Sequence, residues 1–246
     1  SFITIRTSLK DDVFFHRYLK CPIYIEFNEE ITIESIGLLT QILSSLVDAP
    51  LVILNLNSDG GDVEWALHFG EELRGYIRDN VVITVSENSH CFSSCALMLA
   101  SGYQKHVDGK VGIHRPYFEE GKAHEMGYKS LKEFYDGFYK ELGNYLKTMN
   151  ISGEMISQMW GIPSHEMKIL TPEELDLFGL SKDDAVFTEI RNSKLRSRCG
   201  SSAPTMEKHF LNNVISPCIN EEGVVDNVCY EKMGASHPYK NCFDKS

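Results

Sequence analysis

The sequence predicts an α/β fold, and three observations carry that expectation. Leu51-Val52-Ile53-Leu54-Asn55-Leu56 and Val81-Val82-Ile83-Thr84-Val85 are near-continuous aliphatic and β-branched runs, as in strands buried on both faces of a parallel sheet. Between them, Val63 to Ile77 carries Trp65, Ala66, Phe69, Leu73 and Ile77 at helical spacing. Strand, helix and strand in that order imply right-handed βαβ crossovers.

The other elements follow in order. Phe2, Ile3 and Ile5 open the chain as an edge strand, before a charged turn at Lys10-Asp11-Asp12. Cys21 to Phe27 alternates apolar and polar residues and reads as a strand. Ile33 to Val47 sets Ile36, Leu39, Ile42, Leu43 and Leu46 on one helical face, and Pro50 closes it. Asn57-Ser58-Asp59-Gly60-Gly61-Asp62 is a turn, and Ser86 to His90 is another. From about Ser93 to Ala100 an apolar helix is expected, stopping at Ser101-Gly102. Lys110 to Ile113 is a short strand ending in His114-Arg115-Pro116.

Glu119 to Tyr128 is polar and contains glycine. Leu131, Phe134, Tyr135, Phe138, Leu142, Tyr145 and Leu146 then mark a long amphipathic helix. Its Phe/Tyr stripe serves either packing within the domain or self-association. Ser152 is an N-cap for a short helix through Met159. Thr171-Pro172-Glu173-Glu174 opens another that ends at Gly179. Ala185 to Ile190 is expected to be the last strand. Composition changes near residue 195, which divides the chain into an α/β domain at 1–195 and a cysteine-rich extension at 196–246.

Composition narrows the function classes. The net charge is -11 and no basic block offsets it, which argues against a nucleic-acid partner. No apolar run approaches the ~18 residues of a membrane span. Of seven cysteines, Cys199, Cys218, Cys229 and Cys242 lie near the C-terminal end. They stand too far apart for the close Cys-x-x-Cys pairs that zinc favours, so disulfides in an oxidising compartment are expected. Their connectivity is open among three possibilities. An odd count leaves one cysteine unpaired in a monomer, expected among Cys21, Cys91 and Cys95. The chain opens Ser-Phe-Ile-Thr-Ile-Arg and reads as a mature product of an exported protein, with its signal peptide gone. No metal or organic cofactor is implied.

Candidate chemistry gathers at three places. Gly60-Gly61 sits between a buried strand and a helix, where free backbone N–H groups can stabilise developing negative charge. Ser93 and Ser94 begin an apolar helix, and His114 ends the strand that follows. Each has a plain reading alone: an ordinary turn, an N-cap, a structural histidine. Together they form an ordered set on successive elements, which is what activation of a serine requires.

On these residues the segment from about Pro22 to Leu180 resembles the Clp protease proteolytic subunit of the ClpP/crotonase superfamily. Asn57-Ser58-Asp59-Gly60-Gly61 is similar to the family's Ser-Pro-Gly-Gly. Ser89-His90-Cys91-Phe92-Ser93-Ser94 falls on Gly-x-Ala-Ala-Ser-Met, with Gly102 nine residues after Ser93 as the family spacing has it. Gly112-Ile113-His114-Arg115-Pro116 is similar to Met-Ile-His-Gln-Pro. The Cys-x-Ser-x-Cys variant with His-Arg-Pro also resembles a group of exported, periplasmic ClpP-like proteins. The resemblance implies a repeated β-β-α superhelix and a serine peptidase acting through an acyl-enzyme. Ser93 would be the nucleophile and His114 the general base, with the N–H groups of Gly61 and Ser94 as the oxyanion hole. The substrate would be a peptide or protein, and the 131–146 helix would mediate homo-oligomer formation.

One family residue is missing. Met167 stands where the family has the Asp that orients the histidine. A Ser–His dyad, or an atypical triad recruiting Glu166, is the expectation that remains. The alternatives are a catalytically inactive scaffold that binds another protein, a crotonase-like enzyme acting on an acyl thioester, and a Cys91 or Cys95 nucleophile paired with His114.

Overall fold

A computed structural model of the chain describes residues 3–7, 23–47, 49, 51–75, 80–117, 120–210, 213, 216–218 and 227–234. Cys21, Cys242, the turn at 10–12, Pro50, Ile77 and Glu119 lie outside them. The contacts divide the chain into two compact units that part between Asp184 and Ala185, ahead of the composition change near residue 195.

The first unit is built on the β-branched runs. Strands β1 (Ile3–Thr7), β2 (Ile23–Phe27), β3 (Val52–Leu56), β4 (Val81–Val85) and β6 (Gln104–Val107) form one sheet in that order. β1 is an antiparallel edge strand, and the other pairings are parallel. Helix α1 (Ile33–Ser45) connects β2 to β3, and α2 (Val63–Gly75) connects β3 to β4. One face of β3 and β4 is fully buried and the other partly covered, a less even burial than the aliphatic runs imply. Ile25, Leu54 and Ile83 from the strands meet Leu39, Phe69 and Leu73 from the helices in one core. Each such side chain contributes roughly 1.5–3 kcal/mol when fully buried.

A second, three-stranded sheet carries the chemistry-bearing segment. β5 (His90–Phe92) lies parallel to β7 (Lys110–Ile113), which is antiparallel to β8 (Lys168–Ile169). Between β5 and β6 runs α3 (Cys95–Ser101), every residue of which is buried. The sequence reading missed β5, β6 and β8. They are four residues long or fewer, so alternation has nothing to repeat over. α3 also starts two residues later than expected, because Ser93 is in the left-handed region and cannot belong to a right-handed helix.

α4 (Glu120–Thr148) begins well before the expected aromatic stripe and breaks at Gly127, whose φ is 69°. α5 (Gly153–Gly161) has Ser152 as N-cap, its hydroxyl accepting from Glu154 N. α6 (Pro172–Phe178) opens on a capping box between Thr171 and Glu174, and ends at a left-handed Gly179.

The second unit holds one clear correction. Ala185–Cys199 is helix α7, not a strand. The six residues Ala185 to Ile190 continue into Arg191, Lys194 and Arg196, which extend and solvate a helix instead. Helices α8 (Ala203–Phe210) and α9 (Asn227–Gly234) follow. Cys218 and Cys229 form a disulfide, and Cys199 is disulfide-bonded as well. Among the described residues no helix is long and apolar enough to cross a membrane.

Candidate active site

The Gly-Gly turn and the Ser93 turn are built as one piece. Ser58 N–H donates to His90 O at 2.8 Å, and Phe92 N–H returns to Ser58 O at 3.0 Å, so the 57–61 turn runs along β5. Gly60 and Gly61 have φ values of 105° and 142°, a region that favours glycine. Crowding adds a second requirement. A Cβ on Gly60 would lie 2.8 Å from both Phe92 O and Ser93 Cβ, and one on Gly61 would lie 2.4 Å from Ile31 O. Gly60 is what lets the two turns touch, while Gly61 makes room for the Ile31 backbone.

The adjacent serines have different roles. The Ser94 side chain is buried and its hydroxyl donates to Gly61 O at 3.0 Å, clasping the two turns. It makes no side-chain cap on α3, although it holds the N-cap position. Ser93 sits at the apex with φ 56°, its N–H donating to Gly112 O at 2.9 Å. Its side chain lines the groove, and Oγ is bonded to no described residue.

That groove, about 1060 Å³, is lined by Ser93, His114, Gly60 and Gly61 together. Phe134, Tyr135 and Phe138 of α4 form part of its wall, and Glu30, Asp59, Asp62 and Glu64 add carboxylates. The stripe on α4 is thus divided. Its first half lines the groove, while Leu142, Tyr145 and Leu146 enter the core.

His114 is 6% exposed. Its Nδ1 lies 2.9 Å from Arg115 O. A carbonyl only accepts, so Nδ1 carries the hydrogen and Nε2 of the neutral ring keeps its lone pair. Among the described residues, no hydrogen bond links His114 to Ser93 Oγ. The backbone N–H groups of Gly61 and Ser94 donate to no other backbone group of the described residues. Gly61, Ser93 and His114 thus line one groove, with the buried Ser94 next to Ser93 in the chain.

The residues proposed as the third member lie elsewhere. Glu166 Oε1 is 3.6 Å from His165 Nε2, with the Glu166 side chain 63% exposed, and it does not line the groove. Met167 packs on Gly112, where an added Cβ would meet its Sδ at 2.8 Å. Cys91 and Cys95 are disulfide-bonded to each other and fully buried, so neither offers a thiolate and neither is the unpaired cysteine. Sequence spacing could not reveal this, because an i, i+4 pair reads equally well as two small buried residues.

The reading also passed over His90. Its Nε2 lies 2.9 Å from Asp59 Oδ1 at the groove's rim, and its ring rests on Phe92 with centroids 4.6 Å apart. The histidine next to the Cys-x-Ser-x-Cys segment was its sequence signal. Among the described residues no group of three His, Cys, Asp or Glu is placed to hold a metal ion. No family model matches the chain, and no curated protein is significantly similar to it.

Proposed function

We propose that the chain is a serine peptidase of ClpP-like type, working through a Ser93–His114 dyad and an acyl-enzyme. The observation that carries this reading is the division of labour at the turn. Ser94 is tied to Gly61, while Ser93 lines the same groove as the buried His114, and neither Ser93 Oγ nor His114 Nε2 has a hydrogen-bond partner among the described residues. In this reading Nε2 takes the Ser93 proton as Oγ attacks a peptide carbonyl, and then returns it to the leaving amine. The Gly61 and Ser94 N–H groups receive the oxyanion. The Arg115 carbonyl takes over one duty of the missing carboxylate, holding the histidine tautomer, without stabilising the imidazolium by charge. The groove, at about 1060 Å³, has room for several residues of a peptide.

The same reading includes the β-β-α superhelix, supported by the parallel order of β2, β3, β4 and β6 beside the short second sheet. Export is supported by the disulfides. Self-association is assigned to the 131–146 stretch of α4, where Phe134 is 37% exposed, and sedimentation of a Phe134→Lys variant tests it.

A second reading of the base rests on the His90–Asp59 contact, since that imidazole does have a carboxylate partner. Asp59 is 91% exposed on its side chain, where water screens the pair and its worth is small. A pool of unstructured peptides, with new amino termini read by mass spectrometry, separates the readings. Cleavage is expected in the wild type, lost in His114→Ala, and kept within about tenfold in His90→Ala and Glu166→Gln. Peptide binding without any cleavage would favour the inactive scaffold.

A further inference from the structure

We infer that the Cys91–Cys95 disulfide is a positioning element for the nucleophile, so that Ser93 is aimed only in oxidised protein. The inference rests on the peptidase reading. Cys91 is the middle residue of β5 and Cys95 the first of α3. Their bond closes a short ring with Ser93 at its centre. Both ends are anchored: Cys91 is paired with Val111 in the sheet, and Cys95 is packed within a fully buried helix.

Ser93 needs such a restraint. Its φ of 56° is uncommon for a residue with a Cβ. Asn and Asp can relieve that conformation through local side-chain bonds, but Ser93 Oγ makes none with the described residues. What holds the apex is the Ser93 N–H to Gly112 O bond, the Ser94 hydroxyl on Gly61 O, and the covalent ring. The left-handed apex also sets the direction of the next peptide unit, and so of the Ser94 N–H. Relaxation of Ser93 to negative φ would move the nucleophile and one oxyanion donor together.

The bridge is badly suited to a merely global role. It closes one of the shortest possible loops, and short loops constrain the unfolded chain least. Its formation passes two electrons and two protons from the two thiols to a disulfide-bonded oxidant, which leaves as a dithiol. Before that step the chain is a folded but poorly aimed hydrolase, a safeguard suited to a peptidase made in one compartment and used in another.

The test compares wild type, C91A/C95A and C218A/C229A, the last lacking the Cys218–Cys229 bridge. The readouts are the rate of labelling by a fluorophosphonate probe, resolved into its maximal rate and half-saturating concentration, and the crystal structure of C91A/C95A. The expected result is a maximal labelling rate about 10–100-fold lower in C91A/C95A. Its half-saturating concentration stays within about twofold, Ser93 moves to negative φ, and C218A/C229A labels like wild type. Wild-type labelling by C91A/C95A would overturn the inference. If wild type itself does not label, the peptidase reading fails, and the positioning claim is decided by the Ser93 φ alone: a value still near 56° overturns it. Should C91A/C95A not fold, C91V/C95A refills the lost volume. Failure of both to fold would make the bridge a fold staple and overturn the assignment.

Discussion

Two adjacent hydroxyls, Ser93 and Ser94, differ in backbone conformation and in burial, and that difference sets their chemistry. Ser94→Ala removes the clasp on Gly61 O, and the expected effect is about 1 kcal/mol of stability lost and peptidase activity lowered about tenfold. Ser93→Ala removes the proposed nucleophile, and the expected outcome is activity lowered about 10³-fold or more with melting unchanged. Gly61→Ala is expected to be worse than either for folding near the site, since its Cβ would meet Ile31 O at 2.4 Å; circular dichroism and activity together check this. At this scale the sequence was informative about identity and silent about partners. The distance from Ser93 to Gly102 singled out Ser93 over Ser94, and Ser93 is the one of the two that lines the groove. The Arg115 carbonyl was invisible, because a backbone acceptor leaves no residue-type signal. The Cys91–Cys95 bond was invisible for a related reason, as pairing depends on the turn between the two residues.

Elements in the first unit are joined by Arg74 at the C-terminal end of α2. Its guanidinium donates to Ser101 O at 2.6 Å, Met149 O at 3.3 Å and Asp184 Oδ2 at 3.0 Å, and lies 3.9 Å over the Tyr103 ring. One side chain therefore ties the end of α3, the residue after α4, the residue before β6 and the end of the unit together. Arg74→Met leaves Asp184 buried beside unsatisfied carbonyls, and a loss of about 3–5 kcal/mol in urea unfolding is expected. Arg74→Lys keeps the charge but not the planar fork, and about 1–3 kcal/mol should still be lost. Tyr145 makes a comparable tie, its hydroxyl donating to Leu97 O at 2.8 Å. Burial raises its pKa, so it stays a neutral donor at any working pH. Helices α1 and α2 were legible because their pattern repeats over 13 residues each, and β3 and β4 because their runs are almost wholly aliphatic and β-branched. Ala185 to Ile190 misled because six residues can satisfy two periods at once, and only the following charged residues decide between them.

For the whole molecule, pH enters through Lys105. Burial, and then the nearby Arg74, lower its pKa from 10.5 to about 8. The unfolded chain therefore holds this proton more tightly than the folded one. Stability must rise with pH between about 8 and 10.5, and the penalty of burying the charge is constant below that window. In a Lys105→Met variant this slope is absent. The wild type should gain on the variant by up to about 3 kcal/mol across the window, read by urea unfolding at about pH 7 and about pH 10. A constant difference at both pH values would contradict the burial assigned to Lys105. The central claim, that Ser93 is an activated nucleophile, is tested most directly by mapping the adduct of a fluorophosphonate on the intact, oxidised protein. The account predicts a single adduct on Ser93, formed in Ser94→Ala and absent in Ser93→Ala and His114→Ala. An adduct on any other residue, or none on well-folded protein, would contradict it.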